Sequence, residues 1–204
     1  MTAGRDLWRA RRVTPDPLPF AALSPAQMTG CCEWAARSCS GWLLAFCQAE
    51  AVAEWRATME RAGAAWVRAM AWVKPDSAPQ ISGDRPAQGY ESIATAWCGD
   101  TRMAWNGGGR RGVFVIQKHD PGMGHGGAPN PHPTTKPLRL MRELVALFSN
   151  PATMVADPFM GSGTTGVACA QLGRKFIGIE IERKYFDIAC ERIDNAYRQA
   201  KLFA

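Results

Sequence analysis

Apolar residues along this chain fall into two kinds of run, short unbroken ones and longer ones with helical spacing. Short unbroken runs are typical of strands buried in a sheet, and they occupy residues 41–46, 66–73, 90–97, 112–116, 154–156 and 176–179. Helical spacing marks residues 25–37, 49–62, 138–148 and 183–201, and a further helix of small residues ends at Gly173. Because strands and helices alternate, we expect an α/β fold with a doubly wound, mostly parallel, Rossmann-like sheet, centred on the strands at 154–156 and 176–179.

The helix that starts at Pro25 has the clearest boundary signal. Ser24 stands at the N-cap, proline follows at the first helical position, and Gln27 occupies the capping-box position. Gly63 follows the second helical run and is expected to stop it, since glycine favours the backbone conformation that ends helices.

A glycine-rich turn between a strand and a helix is the most informative stretch of the chain. The sequence D-P-F-M-G-S-G-T-T-G occupies residues 157–166, and the next apolar run ends on Glu180. Glycines let backbone N–H groups approach a ligand, and the helix N-terminus favours an anionic group. Glu180 lies just under about 20 residues beyond the first glycine, where such folds place a carboxylate that binds ribose hydroxyls. Thr164 and Thr165 are expected to cap the helix.

A dinucleotide is the first ligand to consider, because residues 161–166 satisfy G-x-G-x-x-G. Asp157 argues against it, since a carboxylate there would repel a pyrophosphate but suits a ligand that carries a cation, such as S-adenosylmethionine. Only one helical segment follows Glu180, so a second mononucleotide-binding half is not expected. An NAD-dependent oxidoreductase therefore stays an alternative.

Three motifs together resemble one known family. D-P-F-M-G-S-G-T-T at 157–165, H-P-T-T-K-P at 132–137 and F-I-G-I-E at 176–180 look like those of the amino-methyltransferases that modify adenine N6 or cytosine N4 in DNA. Their order resembles the β permutation, in which the cofactor half follows the catalytic half. Residues 20–127 look more loosely like phage-type members. The resemblance implies a phage or restriction-modification enzyme that uses S-adenosylmethionine to methylate double-stranded DNA.

The resemblance also implies a set of cofactor-binding residues. It suggests that Lys136 lies near the methionine carboxylate, with Thr134 alongside. The remaining expected cofactor residues lie in the glycine-rich stretch and after the following strand: Asp157, Phe159, Gly161, Ser162, Gly163, Thr164, Thr165 and Glu180.

The catalytic motif of this family is missing from the sequence. The family uses an Asp/Asn-Pro-Pro-Tyr/Phe tetrapeptide, whose polar groups accept hydrogen bonds from the target amine and whose ring stacks on the flipped base. The nearest match is Asp16-Pro17-Leu18-Pro19-Phe20. There Leu18 separates the prolines and displaces the ring by one residue, about 3.8 Å. Asp16 and Phe20 are the catalytic candidates, and a Pro-rich arm left by truncation or divergence is the preferred interpretation.

A loop rich in glycine, proline and basic residues is the expected DNA contact. It covers residues 100–133, and the candidates to bind phosphate or guanine or to stack on a base are Arg102, Trp105, Arg110, Arg111 and Lys118. An ordinary solvated loop is the alternative. The net charge of +6 suits a polyanionic partner without requiring one.

Composition narrows the class of protein further. The chain has 204 residues, 47% of them hydrophobic, which suits one compact domain with a substantial core. Seven cysteines, an odd number without a C-x-x-C pair, favour reduced thiols over disulfides or a zinc site. The three histidines are too irregularly spaced for a metal site. No apolar run approaches the ~18 residues that span a membrane, so we expect a cytoplasmic protein.

Together with these observations, the resemblance implies one methyltransferase domain with four parts. They are an N-terminal arm (1–24), a catalytic-half remnant (25–99), the DNA-contact loop (100–133) and a cofactor-binding half (134–204). The expected activity is methyl transfer to a DNA base, impaired by the missing tetrapeptide. A non-catalytic binding remnant, or one chain of a split enzyme, is the alternative, and a homodimer or a complementing chain stays open.

Overall fold

The computed structural model describes residues 23–118 and 135–202. Its helices are α1 (Pro25–Ser38), α2 (Val52–Arg61), α3 (Leu138–Phe148), α4 (Thr164–Gln171) and α5 (Arg183–Leu202). Its strands are β1 (Trp42–Cys47), β2 (Ala65–Val73), β3 (Tyr90–Trp97), β4 (Val113–Val115), β5 (Met154–Asp157) and β6 (Lys175–Gly178). Among these residues no helix is both long and apolar enough to cross a membrane.

The predicted elements are present, with small shifts at their ends. Helix α1 has the expected capping box, in which the backbone N–H of Ser24 donates to Gln27 Oε1 at 2.9 Å and that of Gln27 donates back to Ser24 Oγ. The helix predicted from residue 49 begins instead as a 3₁₀ turn, Ala49–Ala51, and becomes α-helical at Val52. Gly63 ends this segment with a φ of 94°, as expected.

The strands form two sheets whose directions differ from the sequence-based expectation. Four strands pair in the order β1-β3-β2-β4, and β5 pairs with β6 in a separate sheet. Strand β3 is antiparallel to both β1 and β2, whereas β2–β4 and β5–β6 are parallel. The α/β class is confirmed, but the mostly parallel single sheet is wrong for the described strands. No helix separates β2 from β3, so β3 can pair antiparallel with β2. The prediction failed because an apolar run does not show the direction of its strand.

Helices cover both faces of the four-stranded sheet. Ile93 of β3 packs with Leu140 and Leu144 of α3, whereas the next residue, Ala94, packs with Met59 of α2 on the opposite face. This alternation follows from the two-residue repeat of a strand. The core around α3 also includes Val155 of β5, so α3 joins the two sheets into one body.

Helices α4 and α5 approach each other closely at a glycine. A Cβ atom on Gly166 would lie 2.4 Å from Ile193 Cδ1 and 2.7 Å from Phe176 Cε1. Any larger residue would therefore separate α5 from α4 and β6.

A buried arginine ties together the ends of α3 and α4. Arg174, just before β6, donates from Nη2 to the carbonyl of Ser149 at 2.8 Å and from Nη1 to the carbonyl of Leu172. Its Nε also donates to Ser149 Oγ. These carbonyls lie at helix C-termini, where a cation is favourable.

Candidate functional site

The carboxyl ends of β5 and β6 meet at the glycine-rich turn, residues 158–163. Because β5 and β6 are parallel and Asp157 pairs with Gly178, both strands end at the same edge of the sheet. The backbone N–H of Met160 donates to the carbonyl of Ile179 at 3.0 Å, which holds the turn against the segment after β6. Asp157 and Glu180 consequently lie on the two sides of this turn.

Asp157 is held by two donors from the protein itself. Thr165 Oγ1 donates to its Oδ2 at 2.6 Å, and the backbone N–H of Phe159 donates to its Oδ1 at 3.0 Å. Burial raises the pKa of Asp157 above its ordinary value, the hydrogen bonds from Thr165 and Phe159 oppose that rise, and the charge of Glu180 adds to it. The carboxyl group is thus held in one orientation in a poorly hydrated position.

The start of α4 differs from the expected threonine cap. Gly163 is the N-cap residue, in a left-handed conformation with φ 79°, and no side chain caps the helix. Thr165 does not act as the cap, because its hydroxyl donates to Asp157. A Cβ atom on Gly163 would lie 2.8 Å from Ala189 Cβ, so backbone conformation and space both require glycine here. The first N–H groups of α4 are left without a side-chain cap.

Glu180 is also pre-positioned by backbone donors. The N–H of Gly161 donates to its Oε2 and the N–H of Glu182 to its Oε1, both at 2.9 Å. A carboxylate offers about four lone-pair positions, so the remaining ones are available to hydroxyl groups of a ligand. The ribose-binding role expected of Glu180 from the sequence stays a prediction.

Two residues hold the middle of the turn through Ser162. The Ser162 side chain is buried, and its hydroxyl lies 3.1 Å from Thr135 Oγ1. Arg192 of α5 donates from Nη1 to Ser162 Oγ at 2.9 Å and to the Ser162 carbonyl. Burial lowers the pKa of Arg192. Sequence reasoning missed Arg192, since the amphipathic pattern of α5 contains no signal beyond an arginine close to the apolar positions.

Lys136 lies beside the turn rather than in open solvent. Its Nζ is 2.8 Å from Glu91 Oε2, and its neighbour Thr135 contacts Ser162. Phe159 lies within the turn and is 55% exposed. Thr134, expected next to the cofactor, lies outside the described residues, as do the catalytic candidates Asp16 and Phe20.

The expected DNA contacts divide into two groups. Arg102 and Arg111 are exposed, and neither pairs with a carboxylate among the residues of the structure; Lys118 is exposed at the end of its described segment. Arg110 pairs with Glu143 of α3. The ring of Trp105 packs edge-on against Phe148 at 5.0 Å between centroids. Arg110 and Trp105 thus already have partners within the protein.

Comparisons with known proteins identify the family of this chain. A family model described as DNA methylase (N6_N4_Mtase) matches residues 36–191. The chain is 48% identical over 65 residues to DNA adenine methyltransferase YhdJ of Escherichia coli K12, which is 32% of this chain and 22% of that protein. It is 43% identical over 67 residues to the type II methyltransferase M.HpaI of Haemophilus parainfluenzae, 33% of this chain and 21% of that protein. These matches span less than a quarter of either relative.

Solved structures extend the similarity over most of the fold. The M1.HpyAVI–SAM complex superposes with a TM-score of 0.70 at 30% identity, covering 84% of this chain and 85% of that one. The cytosine-N4-specific PvuII DNA methyltransferase has a TM-score of 0.67 at 15% identity, covering 89% and 82%, and shares the fold. Since the family model matches more than half of the chain and its glycine-rich turn has the described geometry, the chain belongs to the N6_N4_Mtase family of DNA methylases.

Proposed function

We propose that this chain binds S-adenosylmethionine at the glycine-rich turn and serves the methylation of an exocyclic amine, adenine N6 or cytosine N4, in double-stranded DNA. The observation that carries the proposal is the placement of Asp157 and Glu180. Each carboxylate is fixed by the protein's own donors, and the two flank one turn. Polar groups that are already fixed in the free protein lose less conformational entropy when a ligand binds.

The charge at the start of α4 favours a cationic ligand over a dinucleotide. In a dinucleotide-binding fold the pyrophosphate sits at this helix N-terminus. Here the Asp157 carboxylate is bound to Thr165 in the first turn of α4. It would repel a pyrophosphate, whereas the ammonium and sulfonium groups of S-adenosylmethionine would be attracted. Glu180 then accepts hydrogen bonds from the ribose hydroxyls.

Methyl transfer needs groups beyond those of the cofactor site. The bound cofactor supplies an electrophilic methyl group on sulfur. The lone pair of the base amine forms the new N–C bond while the C–S electrons return to sulfur, and the amine then loses a proton. Hydrogen-bond acceptors must hold that amine, and a ring must stack on the flipped base. Asp16 and Phe20 are the proposed candidates.

We therefore propose that the chain binds its ligands but turns over poorly by itself. Nowhere among its 204 residues does an Asp/Asn-Pro-Pro-Tyr/Phe tetrapeptide occur. The alternative is a split enzyme in which a homodimer partner or a complementing chain brings the missing groups. The proposed compartment is the cytoplasm, in keeping with seven free cysteines.

Calorimetric titration tests the cofactor. S-adenosylmethionine and its demethylated product should both bind with saturable heats, and NAD should not. Saturable binding of NAD with no binding of S-adenosylmethionine would replace the proposal by the oxidoreductase alternative.

Methyl transfer is tested with tritium-labelled S-adenosylmethionine and mixed-sequence double-stranded DNA. The chain alone should incorporate little label, and a chimaera that carries a strand ending in Asp-Pro-Pro-Tyr at its N-terminus serves as the positive control. Efficient incorporation by the chain alone that disappears in Asp16→Ala would show that residues 16–20 are a working motif, contrary to the proposed impairment.

A further inference from the structure

One glutamate binds two lysines beside the glycine-rich turn. Glu91, the second residue of β3, lies with Oε1 2.5 Å from Lys74 Nζ and with Oε2 2.8 Å from Lys136 Nζ. Lys74 follows β2, and Lys136 precedes α3. These three residues, the lysine–glutamate cluster, therefore connect β2 and β3 of the four-stranded sheet to the segment that precedes α3.

The cluster is largely shielded from water, yet its carboxyl group favours the charged form. The side chains of Lys74, Glu91 and Lys136 are 14%, 23% and 25% exposed. Burial alone would raise the pKa of Glu91, but the charges and hydrogen bonds of Lys136 and Lys74 outweigh it and hold that pKa below its ordinary value.

Aromatic rings support both ammonium groups. Lys74 Nζ lies 4.6 Å from the ring centroid of Trp72, and Lys136 Nζ lies 4.9 Å from that of Phe46. Contacts of this length attract each ammonium group toward the face of its ring. Two lysines and one glutamate leave the cluster with one net positive charge, which it can offer to an anion.

The position of the cluster relates that charge to the cofactor site. Lys136 adjoins Thr135, whose hydroxyl lies 3.1 Å from Ser162 Oγ in the middle of the glycine-rich turn. Glu180 contacts the turn one residue earlier, at Gly161. A ligand with its ribose at Glu180 and its cationic part near Asp157 would therefore direct its remaining end toward Lys136. In S-adenosylmethionine that end is a carboxylate.

We propose that Glu91 is a positioning residue, which joins Lys74 and Lys136 into one cationic site for the carboxylate of the cofactor's methionine group. This inference rests on the proposed function. Glu91 fixes the direction of the Lys136 ammonium, and Lys74 keeps the site cationic, since a Glu91–Lys136 pair alone would be neutral.

Two ligands that differ at the methionine end test the inference. S-adenosylhomocysteine carries the amino-acid carboxylate, whereas 5′-methylthioadenosine keeps the adenosine and sulfur without it. Glu91→Gln should weaken S-adenosylhomocysteine about tenfold and leave methylthioadenosine within about twofold. Removal of the Glu91 charge makes the cluster more positive, but this does not strengthen ligand binding. A lysine without its carboxylate partner moves toward water, where its attraction to the ligand's carboxylate is screened. Lys74→Met should show the same selectivity with about a fivefold loss.

A second glutamate with two basic neighbours provides the matched control. Glu143 of α3 pairs with Arg110 and approaches Arg139, away from the turn. Glu143→Gln should change neither ligand's affinity. Equal weakening of both ligands by Glu91→Gln and Lys74→Met, or no weakening, would overturn the positioning role while the cofactor proposal stands. Binding of neither ligand by the unmodified chain would overturn the proposed function and this inference with it.

Discussion

Thr165 Oγ1 donates a 2.6 Å hydrogen bond to Oδ2 of Asp157 and so joins the first turn of α4 to the end of β5. The bond thus connects residues on the two sides of the glycine-rich turn. It orients the carboxylate without occupying all of its lone pairs, because Oδ1 accepts only the Phe159 N–H within the described part of the protein. Thr165 thus fixes the Asp157 side chain beside the proposed cofactor site.

Cofactor affinity should depend on pH through Asp157. Burial raises the pKa of this carboxyl in the free protein, and a bound cation favours the carboxylate, so binding expels the proton. Affinity for S-adenosylmethionine should therefore rise with pH through the raised pKa, which lies above 3.8, and level off beyond it. Calorimetric titrations at a series of pH values above 3.8 measure this rise in affinity. Asp157→Asn should bind more weakly and lose this pH dependence; an unchanged profile in the variant would assign the proton to another group.

Glu180 should contribute to the binding of every adenosine-containing ligand. Glu180→Ala removes charge-assisted hydrogen bonds worth about 1.5 to 3 kcal/mol, so affinity for S-adenosylhomocysteine should fall by about tenfold or more. Glu182→Ala is the matched control, because Glu182 is exposed and contributes its backbone N–H to Glu180. A similar loss in both variants would indicate a general effect of charge rather than ribose binding.

A side chain at Gly166 should destabilise the packing of α4 against α5. Gly166→Ala forces Ile193 or Phe176 to move, and overpacking of this kind costs about 1 to 3 kcal/mol of unfolding free energy. Gly30 lies in α1, and a Cβ added there would meet no neighbouring side chain within 4 Å. Gly30→Ala should instead stabilise the chain by about 0.5 to 1 kcal/mol. Urea denaturation measures both, and equal effects would contradict the close approach at Gly166.

Arg174 should be a large contributor to stability. Arg174→Met leaves the carbonyls of Ser149 and Leu172 without their donor, and the unfolding free energy should fall by about 2 to 4 kcal/mol. Arg183 provides the control, since its side chain is 85% exposed and pairs with Asp187 on the surface of α5. Arg183→Met should lower the unfolding free energy far less, because water screens this exposed pair. Comparable losses in the two variants would rule out a special role for Arg174.

DNA affinity should depend on Arg102 and Arg111 more than on Arg110. Replacing both exposed arginines with alanine should reduce the slope of log K against log salt by about 1.8, or about 0.9 for each phosphate contact. Arg110→Ala should change the slope little, since Glu143 already neutralises that charge. Binding titrations at several salt concentrations give the slopes. An unchanged slope in the double variant would move the DNA surface elsewhere on the chain.

The order of the elements, and their boundaries to within a few residues, followed from the sequence because local patterns encode them. The capping residues before α1, the apolar spacing of α3 and the unbroken run of β3 each act over a few neighbouring positions. The glycine-rich turn and Glu180 were found in the same way, since both belong to one continuous strand–helix–strand unit formed by β5, α4 and β6.

Contacts between residues distant in sequence could not be predicted in this way. Strand direction around β3 was missed, because an apolar run has the same pattern in either orientation. Only packing of α5 brings Arg192 to Ser162, and only the sheet brings Glu91 to Lys136, across 45 positions of sequence. Local patterns therefore specify the family motifs and the individual elements. The three-dimensional fold determines which charged side chains meet around the turn, because such contacts depend on long-range packing that no local pattern records.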